Sequence, residues 1–168
     1  MKTSNKPGFF IATAMVLLYA CQPEQYKSVG LPNDNVSMLA GTWKLNKVIQ
    51  TDEDSKRKGF PYQQLDLTTL FPYRDFVLKL DANGSAPSTF STTPGNSPRI
   101  IRLASGNWLV DDPAYPKVLT LASATDTARV TLGAYPTGIT PVLKITRERR
   151  DSASNRLIMS YSYEFTKQ

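Results

Sequence analysis

The chain of 168 residues contains no histidine and one cysteine, Cys21. Without histidine it lacks the usual general base at neutral pH and the commonest metal ligand, which excludes most hydrolase triads and most zinc sites. A single cysteine excludes an intramolecular disulfide framework and any multi-cysteine zinc ribbon. The longest apolar run, Phe9 to Ala20, spans 12 residues, short of the ~20 that a helix needs to cross a bilayer core. Helical periodicity is nearly missing from the rest of the chain. No nucleophile–base pair or metal-ligand spacing is present, so neither an enzyme nor a cofactor is expected. What remains is 40% hydrophobic and 20% charged, with 12 prolines and 9 glycines, the make-up of one loop-rich globular domain.

The net charge is +6, which invites a nucleic-acid or membrane-surface reading. Two of the positive charges, Lys2 and Lys6, precede the apolar run, and without them the balance falls to +4. The clearest basic runs are Lys56-Arg57-Lys58, after Asp52, Glu53 and Asp54, and Arg147-Glu148-Arg149-Arg150, before Asp151. Both mix signs and neither is interleaved with aromatics, so they read as solvated loop ends. Nucleic acid is not an expected partner.

The N-terminus reads as an address. A short positive segment, Lys2 to Lys6, leads into the apolar run, and together they have the form of a secretory signal. Leu18-Tyr19-Ala20-Cys21 resembles the bacterial lipobox. That resemblance implies cleavage before Cys21, acylation of its thiol and new amine, and the lipid bilayer as a partner. Residues 1–20 are then a lipoprotein signal peptide. Residues 21–38, polar and with prolines at 23 and 32, read as a tether. Gln22 after the cysteine does not resemble an inner-membrane retention signal, so the expected location is the cell envelope, with the outer membrane favoured and the membrane face open.

Residues 39–168 hold eight strand-like runs separated by turn chemistry. They are Gly41 to Gln50, Phe76 to Leu80, Ser88 to Thr92, Arg99 to Val110 through Gly106, Lys117 to Leu121, Arg129 to Gly133, Val142 to Arg147 and Leu157 to Phe165. Asn83-Gly84 is a hairpin signal, because both residue types tolerate positive φ. The spacing of Tyr62, Leu65, Leu67 and Leu70 predicts one short helix over 62–70. Sequential antiparallel strands remove their edges most economically by closing, so an all-β, up-and-down, eight-stranded barrel is predicted, with a sandwich as the alternative.

Gly41-Thr42-Trp43, opening the first strand, resembles the Gly-x-Trp signature of lipocalins. In that family the Trp closes the barrel and often stacks on an Arg from the last strand. The resemblance implies that role for Trp43 with Arg156, or alternatively Arg147 or Arg149. The Thr-Asp-Tyr signature of classical lipocalins is absent. The chain is more similar to lipocalin-like lipoproteins of Bacteroidetes of unknown function. The match rests on Gly41-Thr42-Trp43, Leu70-Phe71-Pro72-Tyr73, Ala86 to Phe90, and Gly106-Asn107-Trp108 with Asp111-Asp112. Asp126-Thr127-Ala128 and Asp151-Ser152-Ala153 resemble the Asp-Ser/Thr-small motif of periplasmic O-glycosylation in that phylum. Thr127 and Ser152 are therefore candidate glycan sites, although such tripeptides are also ordinary turns.

Asp111-Asp112-Pro113 reads as turn chemistry rather than an acid–base pair, since adjacent strand residues point to opposite faces. In the last run Tyr161, Tyr163 and Phe165 share one face with Met159 behind them, making these four the candidate cavity wall. Two functions are consistent with this pattern. One is a membrane-tethered module binding a small apolar or amphipathic ligand in the barrel. The alternative is a non-enzymatic structural or interaction lipoprotein of the envelope, with a filled barrel and a protein partner. A large internal cavity favours the first, and a solid core with an exposed apolar patch the second.

Overall fold

A computed structural model describes residues 34–168. The expected signal peptide, Cys21 and most of the expected tether lie outside the described residues.

The strands follow one another around a ring. They are β1 (Gly41–Asp52), β2 (Gln64–Asp66), β3 (Val77–Asn83), β4 (Ala86–Thr93), β5 (Ser105–Val110), β6 (Val118–Ala122), β7 (Thr127–Ala134), β8 (Val142–Arg150) and β9 (Leu157–Lys167). From β3 to β9 each strand pairs antiparallel with the next. β1 closes the ring, pairing through Gly41 to Lys44 with β3 and through Trp43 to Asp52 with β9. The result is the closed, eight-stranded antiparallel barrel that the sequence predicted. β2 is an addition to it, paired only with Ile49 to Thr51 of β1.

Alternation sends one face of each strand inward. Trp43 and Leu45 of β1, Leu78 and Leu80 of β3, Phe90 of β4, Trp108 of β5, Leu119 and Leu121 of β6, Leu143 and Ile145 of β8 and Phe165 of β9 are almost wholly buried. A bulge between Leu45 and Lys47 resets the parity so that Val48 is again inside. Gly106 is required by close approach: at φ +157°, a Cβ there would sit 2.0 Å from the carbonyl oxygen of Ala122 on β6.

Both ends of the barrel are covered by chain that is not strand. A short helix, α1 (Asn35–Leu39), inserts Val36 and Leu39 at the end where β1 begins. Asp34 caps it, accepting from the Ser37 amide and from the hydroxyls of Ser37 and Ser85. The domain thus begins ahead of the expected boundary at 39, because residues 35–39 contribute to its core. At the opposite end, Leu67, Tyr73 and Phe76 come from the β2–β3 connection, and Ile100, Ile101 and Leu103 from the β4–β5 connection.

Three local expectations are corrected. No helix forms over 62–70: its middle is β2 and its end a turn. The reason lies in β1, whose outer edge beyond Lys44 has no β3 residue opposite it. Leu67 donates its amide to the Val48 carbonyl, and the Thr68 hydroxyl accepts from the Val48 amide. Those backbone groups outweigh a helical period whose apolar residues stay exposed at Tyr62, Leu65 and Leu70. The fourth run forms a strand only from Ser105. Ile100 and Ile101 are both buried, which a strand with one inward face cannot achieve. The charged run at 52–58 is an ordered helix, α2 (Glu53–Lys58), with Asp52 as N-cap, acids in its first turn, bases in its last and Gly59 as a left-handed C-cap. The Asn83-Gly84 hairpin forms with its turn at Gly84 and Ser85, since Asn83 still pairs with Ala86.

Candidate functional site

β9 carries all four candidate wall residues, the three aromatic ones through a gradient of burial. Phe165 is 0% exposed and meets Phe76 edge-on, with ring centroids 6.2 Å apart, so it belongs to the core. Tyr163 is 8% exposed, and Tyr161 is half-buried and stacked on it at 6.4 Å. Met159 accepts a 3.2 Å hydrogen bond at Sδ from the Tyr161 hydroxyl. The structure therefore splits the four: Phe165 closes the core, while Tyr161 and Tyr163 face an open recess of about 210 Å³.

The recess sits where the core gives way at the end opposite α1. Its other lining residues are Arg147 and Glu148 of β8 and Arg99 and Ile100 of the β4–β5 connection. Register explains how a charged residue comes to face inward there. Leu143, Ile145 and Arg147 alternate on β8 opposite Phe165, Tyr163 and Tyr161. Arg147 thus takes the third register position of a series whose first two members are fully buried, and is itself exposed where the barrel opens. One arm of its guanidinium, Nη1, donates to the Ile100 carbonyl, which fixes the fork. Glu148 is engaged by Arg150 at 2.6 and 3.1 Å. Burial, with a smaller contribution from neighbouring Tyr73, pushes the Tyr163 phenol up to about 12, so it stays protonated at physiological pH. Burial likewise pushes the Tyr73 phenol up.

A larger recess of about 520 Å³ lies at the other end, lined by Asp111, Asp112, Tyr115, Lys117 and Tyr135. Asp111 accepts from the Lys117 and Val118 amides and Asp112 from the Ala114 amide, so these carboxylates build the loop. The Asp111 carboxyl is held below its ordinary value by those amide bonds. Among the described residues no group of three or more His, Cys, Asp or Glu could hold a metal ion.

Trp43 is fully buried, with its indole N–H donating to the Leu39 carbonyl at 2.8 Å. The cation beside its ring is Lys167, 5.3 Å from the centroid. The expected stacking by Arg156 is corrected: antiparallel pairing sets Trp43 opposite Lys167, at the far end of β9 from Arg156. Arg156 instead pairs with Asp54 of α2 at 3.2 Å. Gly41 makes room for the Lys167 stem, since a Cβ there would lie 2.4 Å from Lys167 Cε. Thr127 is exposed as the first residue of β7, and Ser152 is exposed in the β8–β9 turn.

Sequence reasoning missed Arg99 and Ile100, because their segment read as strand. Arg147 was read as part of a solvated basic run and as an alternative stacking partner for Trp43, although its place in the Leu143–Ile145–Arg147 alternation was readable.

The family model described as Domain of unknown function (DUF5004) matches residues 20–163. The chain belongs to this family. DUF5004 thus has, in this member, a closed barrel with a filled middle and a tyrosine–arginine recess at one end. No curated protein and no solved structure matches the chain.

Proposed function

We propose that this protein is a lipid-anchored, non-catalytic binding module of the cell envelope, favouring the outer membrane, that takes one end of a small amphipathic ligand in the recess beside Tyr161. One observation carries the reading. The aromatic face of β9 is sealed at Phe165 but opens at Tyr163 and Tyr161, where it meets Ile100 and Arg147 around about 210 Å³ of space. Sites that enclose a drug-sized ligand span ~300–1,000 Å³. A recess of this size suits an end group or a single ring, with the remainder of the ligand outside. The barrel interior itself is occupied by Trp43, Trp108, Phe76, Phe90 and Phe165, so the ligand sits at the mouth rather than in the lumen.

Native mass spectrometry of protein isolated from its own cells tests this. A retained small molecule is expected, lost in Tyr161→Ala. Bare protein, together with no thermal shift from a panel of small amphiphiles, overturns it. The anchor is tested separately by Cys21→Ser, which is expected to release the protein to the soluble fraction and abolish fatty-acid labelling.

A second reading, an interaction accessory with a filled barrel, is favoured by the exposed strip of Phe60, Tyr62, Leu65, Leu70 and Phe71 flanking β2. Cross-linking in cells through Tyr62 would then yield one discrete protein adduct, whereas the ligand reading expects none that depends on this strip.

A further inference from the structure

Resting on the binding reading, we propose that the recess at the mouth of the barrel is an anion site, in which Arg147 and the Tyr163 hydroxyl hold a carboxylate or phosphate monoester borne on an apolar body. The charge balance of the recess comes first. It contains Arg99, Arg147 and Glu148, and Glu148 is bound by Arg150 in the same strand. Among the described residues no ion pair uses Arg99 or Arg147. The lining is therefore cationic in sum.

Geometry comes second. A guanidinium presents five N–H donors in a planar fork. One arm of Arg147 is tied to the Ile100 carbonyl, which orients the rest without neutralising it. Arg147, at the register position following Leu143 and Ile145, is exposed at the mouth, and among the described residues it has no carboxylate partner. An incoming anion supplies that missing partner, and such charge-assisted bonds are about twice as strong as neutral ones.

The tyrosines come third. The Tyr163 side chain is mostly buried, yet its hydroxyl is not sealed off, and no hydrogen bond contributes to the displacement of its titration. It is a protonated donor that meets no acceptor among the described residues, beside Arg147 and within the field of Tyr73 and Tyr161. The Tyr161–Tyr163 stack, tilted by only 19°, offers a flat apolar wall for whatever carries the anion. Arg99, on the β4–β5 connection, stands at the rim.

Two sources supply this chemistry, aliphatic acids derived from lipid and aromatic acids. Titration calorimetry on the purified full chain with laurate against dodecanol, and phenylacetate against 2-phenylethanol, separates them. In at least one pair the anion is expected to bind about tenfold more tightly than its alcohol, the effect of one charge-assisted contact. Preference confined to the first pair identifies a lipid-derived acid, and preference confined to the second an aromatic acid. Arg147→Gln should erase the preference, bringing the acid to within about twofold of its alcohol; Arg99→Gln, which breaks no hydrogen bond among the described residues, should narrow it if the first variant fails to fold. Acid and alcohol binding equally in both pairs overturns the anion site but leaves the binding reading standing. No binding of any of the four overturns both.

Discussion

The two ends of the barrel are built from the same strands and do opposite things. At the end where β1 begins, Trp43, Leu39, Val36 and Phe165 are at or near zero exposure, and Asp34 fastens α1 through Ser37 and Ser85. At the other end, the continuation of the same inward faces yields Tyr161 and Arg147 in place of Phe165 and Leu143. The strand period is unchanged from Leu143 to Arg147 on β8 and from Phe165 to Tyr161 on β9. Only the side chains change, from pure hydrocarbon to groups with polar tips. A closed barrel gains most of its stability where the inward residues are wholly apolar. It can afford a recognition site only where those residues no longer carry that load.

Truncation at the sealed end should break the comparison most severely. Trp43→Ala removes a fully buried indole and leaves the Leu39 carbonyl without its donor, and is expected to cost ~3–5 kcal/mol in denaturant unfolding. A loss under ~1 kcal/mol, as at surface sites, would contradict its role in closing the barrel.

Gly106→Ala is expected to cost less, ~1–3 kcal/mol, because the methyl group meets backbone and the φ is strained for an L-residue. Unchanged stability would mean that β5 and β6 can separate there without penalty.

Acid should sharpen the contrast between the ends. The Asp34 carboxyl is lowered to about 2, first by the Ser37 hydroxyl and then by that of Ser85. A depressed carboxylate contributes fully above its unfolded value near 3.8 and loses that contribution as pH falls through about 2. Asp52, Asp66, Asp81, Asp111 and Asp151 are depressed in the same direction by hydrogen bonds within caps, turns and strands. Thermal midpoints should therefore fall between pH 4 and 2, with Asp34→Asn flattening part of that slope. Parallel slopes for both proteins would remove Asp34 from the account.

The smallest effect is expected at the open end. Among the described residues the Tyr161 hydroxyl bonds only to the Met159 sulfur, a weak acceptor. Tyr161→Phe should shift stability by less than ~0.5 kcal/mol while retaining the stacked wall. A larger loss would show that the recess is part of the structural core.

Much of this molecule was legible from the chain. The alternation of Trp43 with Leu45, the turn signals and the face shared by Tyr161, Tyr163 and Phe165 are local properties, and they are enough to specify strands and a closed sheet. Periodicity misled where local pattern competed with backbone satisfaction. Tyr62, Leu65 and Leu70 have helical spacing, but the unpaired edge of β1 captured their segment as β2. Arg99 to Leu103 have strand composition, but covering a barrel end needs Ile100 and Ile101 both inside.

Sequence by itself determined which residues are apolar, how often they recur and where the chain turns, and therefore the all-β barrel. Tertiary structure decided the pairing across its seam. With β1 antiparallel to β9, Lys167 and not Arg156 lies beside Trp43, and Arg156 is left to Asp54 at the opposite end. It also decided that Phe165 is core while Tyr161, four residues earlier on the same face, lines a recess. Position along a strand axis relative to the plugging segments cannot be read from a period of two, because every inward residue has the same phase.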